Sequence, residues 1–365
     1  MRPLVVFGTR PEAIKLAPII RLMQASSEWD PIVVSSGQHR EMLDQVVNDL
    51  AIKVDLDLSI MRESQTLAYV TSAVITSVEG CLKEFKPELV LVQGDTTTAM
   101  GATFASFYQA IPVGHVEAGL RSGNFLDPFP EEMNRQVVSK MATWHFAPTQ
   151  RSSENLRTEG VDEAAIEVTG NTVIDNLKWV IEQGLGRSSF KTDSSRLLVT
   201  LHRRENQGEN MAEIASALRA LCGRGDVEVV LPLHMSPQVR RVLQPELDGV
   251  SGMNLIEPLS YLDFVRTMND ADVILTDSGG VQEEAPSLGK PVLVLRQTTE
   301  RPEGIEAGSA LLVGTNADVI AHECARLLDD QAWYQQMAHV KNPYGDGTSA
   351  LQILERLQRD LTQVK

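Results

Sequence analysis

Short apolar runs alternate with stretches of helical period along nearly the whole chain, and no other feature limits the fold as much. PLVVFG, PIVVSSG, ELVLVQG, IPVGHVE, WHFAPT and IEVTG read as strands in the first half; RLLVTL, VEVVLPL, MNLIEP, DVILTD and PVLVLR read as strands in the second. Between them, segments such as 12–24, 65–85 and 210–224 carry apolar residues every three or four positions. Strands that are apolar at consecutive positions bury both faces, and a helix-length connection sets the next strand parallel to the last. The chain therefore reads as α/β, built from βαβ units. At 365 residues it exceeds what one hydrophobic core usually holds. The polar stretch 184–195, GLGRSSFKTDSS, is the candidate linker, with a full set of alternating elements on each side. The expected architecture is two Rossmann-like domains facing a central cleft.

Charge narrows the partners. Lys and Arg number 33 against 49 Asp and Glu, a net charge of −16, which argues against nucleic acid or an anionic membrane. An anionic ligand must then be held by a few well-placed cations. Cys81, Cys222 and Cys324 are scattered and odd in number, so neither a disulfide framework nor a zinc site is expected, and a reducing compartment is. PLVVFG enters a strand at once and no apolar run approaches 18 residues, so neither a signal peptide nor a membrane span is expected. These readings place the chain in the cytoplasm.

The stretch 273–304, VILTDSGGVQEEAPSLGKPVLVLRQTTERPEG, is the most informative about chemistry. A buried strand leads to the turn Asp277-Ser278-Gly279-Gly280, then to a short helix closed by Gly289. Unpaired N–H groups and the positive end of a helix dipole converge at such a turn, which suits an anion. Glu283 and Glu284 lie on the first helical turn, placed for ribose hydroxyls, and Arg296 and Arg301 follow the next strand. The pattern reads as a nucleotide diphosphate cradle with a sugar end, or as a Gly-rich βα turn whose charges face solvent.

In parallel sheets ligands sit beyond the carboxyl ends of strands. The residues there are Gly8-Thr9-Arg10-Pro11-Glu12 with Lys15; Gln38, His39 and Arg40; Gln93-Gly94-Asp95-Thr96-Thr97; Glu117, Gly119, Arg121 and Ser122; His202, Arg203, Arg204 and Glu205; and His234 and Ser236. Each alone equally fits a helix cap or a solvated charge, and Thr9 and Pro11 suit an N-cap and a first turn. Among the carboxylates, Asp95 also fits an N-cap, and Glu131 with Glu132 also fits the dipole of the helix beginning PEEMNRQ. Glu117, placed directly after a buried strand, is the hardest to explain structurally. A crowded carboxylate there suits proton transfer.

These residues stand in long blocks: GTRPEAIKLAP at 8–18, QGDTTTA at 93–99, HVEAGLRS at 115–122, PFPEEMNRQ at 128–136, GNTVIDN at 170–176, HRREN at 202–206, TDSGGVQEEAPSLGKPVLVLR at 276–296, TTERPEG at 298–304 and NPYGDG at 342–347. In order and nearly end to end, the chain resembles the non-hydrolysing UDP-N-acetylglucosamine 2-epimerases. The resemblance implies the GT-B arrangement, with an N-terminal domain over 1–170, a C-terminal domain over 171–345 and a helix at 346–365 returning to the first. It implies a homodimer without a cofactor or metal. It assigns the diphosphate to Arg10, His202, Ser278, Gly279 and Gly280, the ribose to Glu284, and uracil to Phe264 and the backbone near Leu259. Lys15 and Arg301 fall near sugar or phosphate. Asp95, Glu117 and Glu131 become the catalytic acids and bases, with His202 joining the catalytic set. A second UDP-N-acetylglucosamine, acting as an allosteric activator, falls to Gln38, Glu131, Arg203 and His234. Glu41 and Ser64 stand where many relatives carry Gln and Arg.

The chemistry agrees with that resemblance. The C2 proton of an N-acetylhexosamine is not next to a carbonyl, so direct removal by a carboxylate is implausible. Transient oxidation by a bound nicotinamide is disfavoured, because GTRPEA offers no G-x-G-x-x-G after the first strand. Departure of UDP from C1 acidifies the C2 proton and gives 2-acetamidoglucal; re-addition after protonation on the opposite face gives the mannosamine epimer. The rival readings are a GT-B glycosyltransferase, a related or hydrolysing UDP-sugar epimerase, and a non-catalytic UDP-sugar sensor.

Overall fold

The computed structural model describes residues 1–363 except 38, 39, 63, 64, 193 and 207, and leaves the side chains of 40–42 and 204 undescribed. The chain divides into two units, Met1–Asn176 with Tyr344–Lys365, and Leu177–Pro343. Each is a parallel sheet with interleaved helices, the expected α/β class.

The first unit holds β1 (Pro3–Phe7), β2 (Ile32–Ser35), β3 (Leu56–Asp57), β4 (Leu89–Gln93), β5 (Val113–Val116), β6 (Trp144–Ala147) and β7 (Ile166–Val168). Their order is β3-β2-β1-β4-β5-β6-β7, and every pairing is parallel. The second holds β8 (Ser195–Thr200), β9 (Val227–Pro232), β10 (Met253–Ile256), β11 (Val273–Thr276), β12 (Val292–Val294) and β13 (Ala310–Leu312), in the order β10-β9-β8-β11-β12-β13, again all parallel. β3 and β13 are absent from the strands read in the sequence. At two and three residues on sheet edges, they are too short to carry an apolar pattern.

The central strands are buried on both faces, as consecutive apolar residues require: Leu4, Val5, Val6 and Phe7 are all inaccessible, as are Ile274 and Leu275. In the second unit, Ile214, Leu218 and Leu221 of the helix Glu209–Cys222 recur at helical spacing and pack on Leu197, Val199, Leu231 and Leu275. In the first, the helix Leu67–Phe85 turns Val70, Val74 and Val78 onto Val90 and Val92. At the end of β1, a Cβ on Gly8 would run into the hydroxyls of Ser36 and Thr98, so the chain there admits only glycine.

In each sheet the strand order reverses once, between β1 and β4 and between β8 and β11. In parallel sheets of this kind, the carboxyl ends of the strands at such a reversal are where ligands bind.

The polar stretch 184–195 is not a free linker. The units divide upstream of it, at Asn176 and Leu177, inside the helix Thr172–Glu182. The stretch lies along the second unit because a buried carboxylate gathers it. Glu228 accepts Lys191 N–H and Thr192 N–H at 2.8 Å each, and the Thr192 hydroxyl at 2.6 Å. Burial opposes ionisation of Glu228, but these donors hold its carboxyl below the usual range. At the other end of the chain, the helix Ser349–Gln363 packs on the helix Arg10–Ala25. Its first turn is capped by Asp175, which accepts Ala350 N–H at 2.8 Å.

His115 and His145 are register partners on β5 and β6, and both are buried. Burial pushes the His115 imidazole down to about 3 and the His145 imidazole down to about 4, from an ordinary 6.5. Between those values the unfolded chain binds more protons than the native one, so native stability rises with pH and levels off above about 6.5. Urea unfolding should therefore show a stability loss as pH falls from 6.5 towards 4, and His115→Gln should flatten part of that slope. A slope unchanged by this substitution would contradict the buried, neutral His115.

Candidate functional site

The first unit places its chemistry at the switch between β1 and β4. Thr9 caps the helix Arg10–Ala25 in a capping box with Glu12, and Pro11 occupies the first turn. Glu12 accepts Gly8 N–H at 3.0 Å, Thr9 N–H at 2.8 Å and the Thr96 hydroxyl at 2.6 Å, tying the exit of β1 to the exit of β4. Burial outweighs those donors and pushes the Glu12 carboxyl above its usual range. Arg10 is thereby set at the first helical position, half-buried.

Lys15, one turn further on, meets Glu117: its ammonium lies 2.6 Å from both carboxylate oxygens. Gln93 at the end of β4 donates to Glu117 Oε2, and Asn171 donates to Oε1 at 3.0 Å. Glu117 is buried and sits at φ 63°, a left-handed conformation unusual for a residue with a Cβ. Strained backbone of this kind, costing about 1–3 kcal/mol, clusters at functional sites.

Asp95 is not the cap of the helix Thr97–Tyr108. Thr96 is, accepting Ala99 N–H at 3.0 Å. The Asp95 carboxylate instead pairs with Arg135, which also reaches Glu132 at 3.2 Å. Glu132 is inaccessible; burial opposes its charge, but Ser122 N–H, Gln136 and Arg135 hold its carboxyl below the usual range. Its neighbour Glu131 is half-buried at the head of the helix Glu131–Met141.

The second unit repeats the arrangement between β8 and β11. Ser278 is the N-cap of the helix Gly279–Glu284, and Gly289 closes the following turn at φ 66°. A Cβ on Gly279 would lie 3.7 Å from Arg203 Nη2 and 3.9 Å from Arg301 Cζ, so both guanidinium groups flank the start of the helix. A Cβ on Gly280 would lie 3.5 Å from Glu284 Oε1 and 4.0 Å from Ser278 Oγ. Cations, helix-start N–H groups and a carboxylate thus surround the two glycines, as the cradle reading expects.

Asp277 organises this end. Fully buried, it accepts His202 N–H at 3.1 Å, Arg203 N–H at 3.0 Å and Asn206 Nδ2 at 3.0 Å, and lies 3.0 Å from His202 Nδ1. Burial opposes its charge, but His202 and the two backbone donors keep it ionised below the usual range. With Nδ1 so engaged, Nε2 is the His202 nitrogen left to face a ligand. The ring of His234, which follows β9, lies 6.0 Å from that of His202. Burial and the His202 ring lower the His234 imidazole.

Two expectations are corrected. Arg296 does not face a ligand; it is buried against Glu205 Oε1 at 2.5 Å and Glu300 at 3.1 Å, bracing the two loops that flank the turn. Glu283 is likewise not a ribose group, because it is buried in an ion pair with Arg301. Leu259 and Phe264, after β10 and on the helix Tyr261–Asp270, lie beyond the carboxyl end of the same sheet. Gln38, His39 and Ser64, and the side chains of Arg40, Glu41 and Arg204, lie outside the described residues. Asn171 and Arg135 draw no role from the sequence, because their partners lie 54 and 40 positions away, beyond any local pattern.

Comparison with known proteins agrees with this arrangement. A family model described as UDP-N-acetylglucosamine 2-epimerase matches residues 21–358. UDP-N-acetylglucosamine 2-epimerase of Yersinia pestis is 48% identical over 370 residues, covering 98% of each chain. That of Escherichia coli K12 is 47% identical over 372 residues, covering 99% of each. The crystal structure of the Neisseria meningitidis UDP-GlcNAc 2-epimerase bound to UDP-GlcNAc is 46% identical, with a TM-score of 0.89 over 98% of this chain and 100% of that one. Matched by that family model over most of its length and nearly half identical to these relatives end to end, the chain belongs to the UDP-N-acetylglucosamine 2-epimerase family of enzymes.

Proposed function

We propose that this chain interconverts UDP-N-acetylglucosamine and UDP-N-acetylmannosamine by eliminating UDP to 2-acetamidoglucal and adding it back. The observation that carries the reading is Glu117, buried and met on its two oxygens by Lys15, Gln93 and Asn171 beside the exit of β4. A base that removes a weakly acidic C–H proton must be ionised and fixed in direction before the substrate arrives. Departure of UDP builds negative charge on the diphosphate. The Ser278-Gly279-Gly280 helix start, Arg301 and the outward nitrogen of His202 match that charge. Arg10 adds a cation from the first unit, and Glu284 is assigned the ribose. Asp95 and Glu131 supply the remaining proton transfers, since inversion at C2 needs a group on each face. Uracil falls to Phe264 and the backbone at Leu259.

The same reading makes the chain a cytoplasmic homodimer that supplies polysaccharide synthesis; its buried cysteines fit a reducing compartment. Among the described residues, no helix is long and apolar enough to cross a membrane. A second UDP-N-acetylglucosamine would act as activator at Gln38, Arg203 and His234.

Incubation with UDP-N-acetylglucosamine, followed by NMR, tests the reaction directly. In deuterated water both epimers should acquire deuterium at C2. Epimerisation with full retention of the original hydrogen excludes elimination.

Asp95→Asn, Glu117→Gln and Glu131→Gln should each lower kcat by about 10²-fold or more, the scale of a lost general acid or base. UDP affinity should change little in all three. His202→Ala and Arg10→Ala should weaken UDP binding as well as turnover, because the charge they meet grows in the transition state. A carboxylate variant with near-normal kcat leaves the catalytic set, and unchanged UDP affinity in both cation variants would refute the phosphate assignment.

By the family resemblance, Glu41 and Ser64 replace a Gln and an Arg of many relatives at the second site, a carboxylate gained and a cation lost against a dianionic ligand. Activation of UDP-N-acetylmannosamine conversion should therefore need more effector than in relatives with Gln and Arg, and Ser64→Arg should shift the curve to lower concentration. Strong activation at low micromolar effector, or a curve unmoved by Ser64→Arg, would contradict a weakened site.

A further inference from the structure

The blocks GNTVIDN at 170–176 and NPYGDG at 342–347 supply no group to the reaction as described, yet they meet beside its base. Asn171 is 2% exposed and bonded through both its backbone and its side-chain amide. Its backbone N–H donates to Tyr344 O at 2.7 Å. Its Oδ1 accepts Val173 N–H at 3.1 Å, capping the helix Thr172–Glu182. Its Nδ2 donates to Glu117 Oε1 at 3.0 Å. The cap decides which way the amide faces: the backbone N–H of Val173 needs the oxygen, so the NH2 group is turned to the carboxylate. The returning chain holds this placement. A Cβ on Gly170 would lie 2.8 Å from Ser349 Oγ and 3.0 Å from Tyr344 O, and Tyr344 is itself 1% exposed.

We propose that Asn171 is a positioning residue for the reaction, aiming the Glu117 carboxylate from one side while Gln93 aims it from the other. Lys15 meets both oxygens and balances their charge, but an ammonium on a flexible stem does not select a carboxylate plane. The two amides do, one on each oxygen. Asparagine is required because an aspartate of the same shape would present an oxygen, and a like charge, to Glu117. The proposal rests on the reading that Glu117 exchanges the C2 proton.

Asn171→Asp and Asn171→Ala separate positioning from capping. Aspartate keeps the acceptor for Val173 N–H and replaces the donor to Glu117 by a like charge, whereas alanine removes both donor and acceptor. Epimerisation kinetics, C2 deuterium exchange, UDP affinity and melting temperature should be measured for wild type and both variants. Both variants should lose about 10- to 100-fold in kcat and in C2 exchange, the scale of a misaligned reacting group, with KM and UDP affinity near wild type. Asn171→Asp should melt near wild type and Asn171→Ala lower. Wild-type turnover in Asn171→Asp would overturn the proposal and leave Asn171 as a helix cap. Parallel losses of melting temperature, UDP affinity and kcat in both variants would overturn it too, since general damage to the fold would then account for the data. A wild-type protein that neither epimerises nor exchanges the C2 proton would refute the catalytic reading of Glu117, and the proposal with it.

Discussion

Every strand in both sheets runs parallel, and their central strands are apolar on both faces. With both faces covered by helices, polar side chains find room where strands end and loops begin. Each sheet has one point where strand order reverses. The positions of Glu12, Asp95 and Glu117 in one unit, and of His202 and Ser278 in the other, follow from that constraint.

Buried carboxylates then hold the loops in place. Glu12 joins the exits of β1 and β4, Asp277 joins those of β8 and β11, and Glu228 fastens the polar stretch 184–195 along its unit. Each accepts two backbone N–H groups of a loop, so each carboxylate both satisfies a loop and sets its path. Their electrostatic outcomes differ. Burial prevails at Glu12, whereas hydrogen bonds prevail at Asp277 and Glu228. Glu117 gathers side chains instead, with Lys15 at both oxygens, Gln93 at one and Asn171 at the other.

The two units carry different chemistry on similar frames. The first offers carboxylates with cationic partners: Glu117 with Lys15, and Asp95 with Arg135. The second offers a glycine turn flanked by Arg203 and Arg301, with His202 set by Asp277. A nucleotide sugar has a dianionic diphosphate at one end and a reacting ring at the other. The family to which the chain belongs is named for such a molecule.

Much of this was legible in the residues alone. Apolar runs and helical spacing mark eleven of the thirteen strands, because burial of whole strands and faces is written in local periodicity. Thr9, Pro11 and Glu12 announce a helix start, and Asp277-Ser278-Gly279-Gly280 announces a turn into a helix, since capping and glycine conformation are local. What tertiary structure decided is which charged groups are already taken. Arg296 and Glu283 look in sequence like ligand residues, but they are neutralised by Glu205, Glu300 and Arg301. Asn171, unremarkable in sequence, reaches Glu117 across 54 positions. Pairing of charges depends on distances through space, and only the folded chain brings those residues within hydrogen-bonding reach.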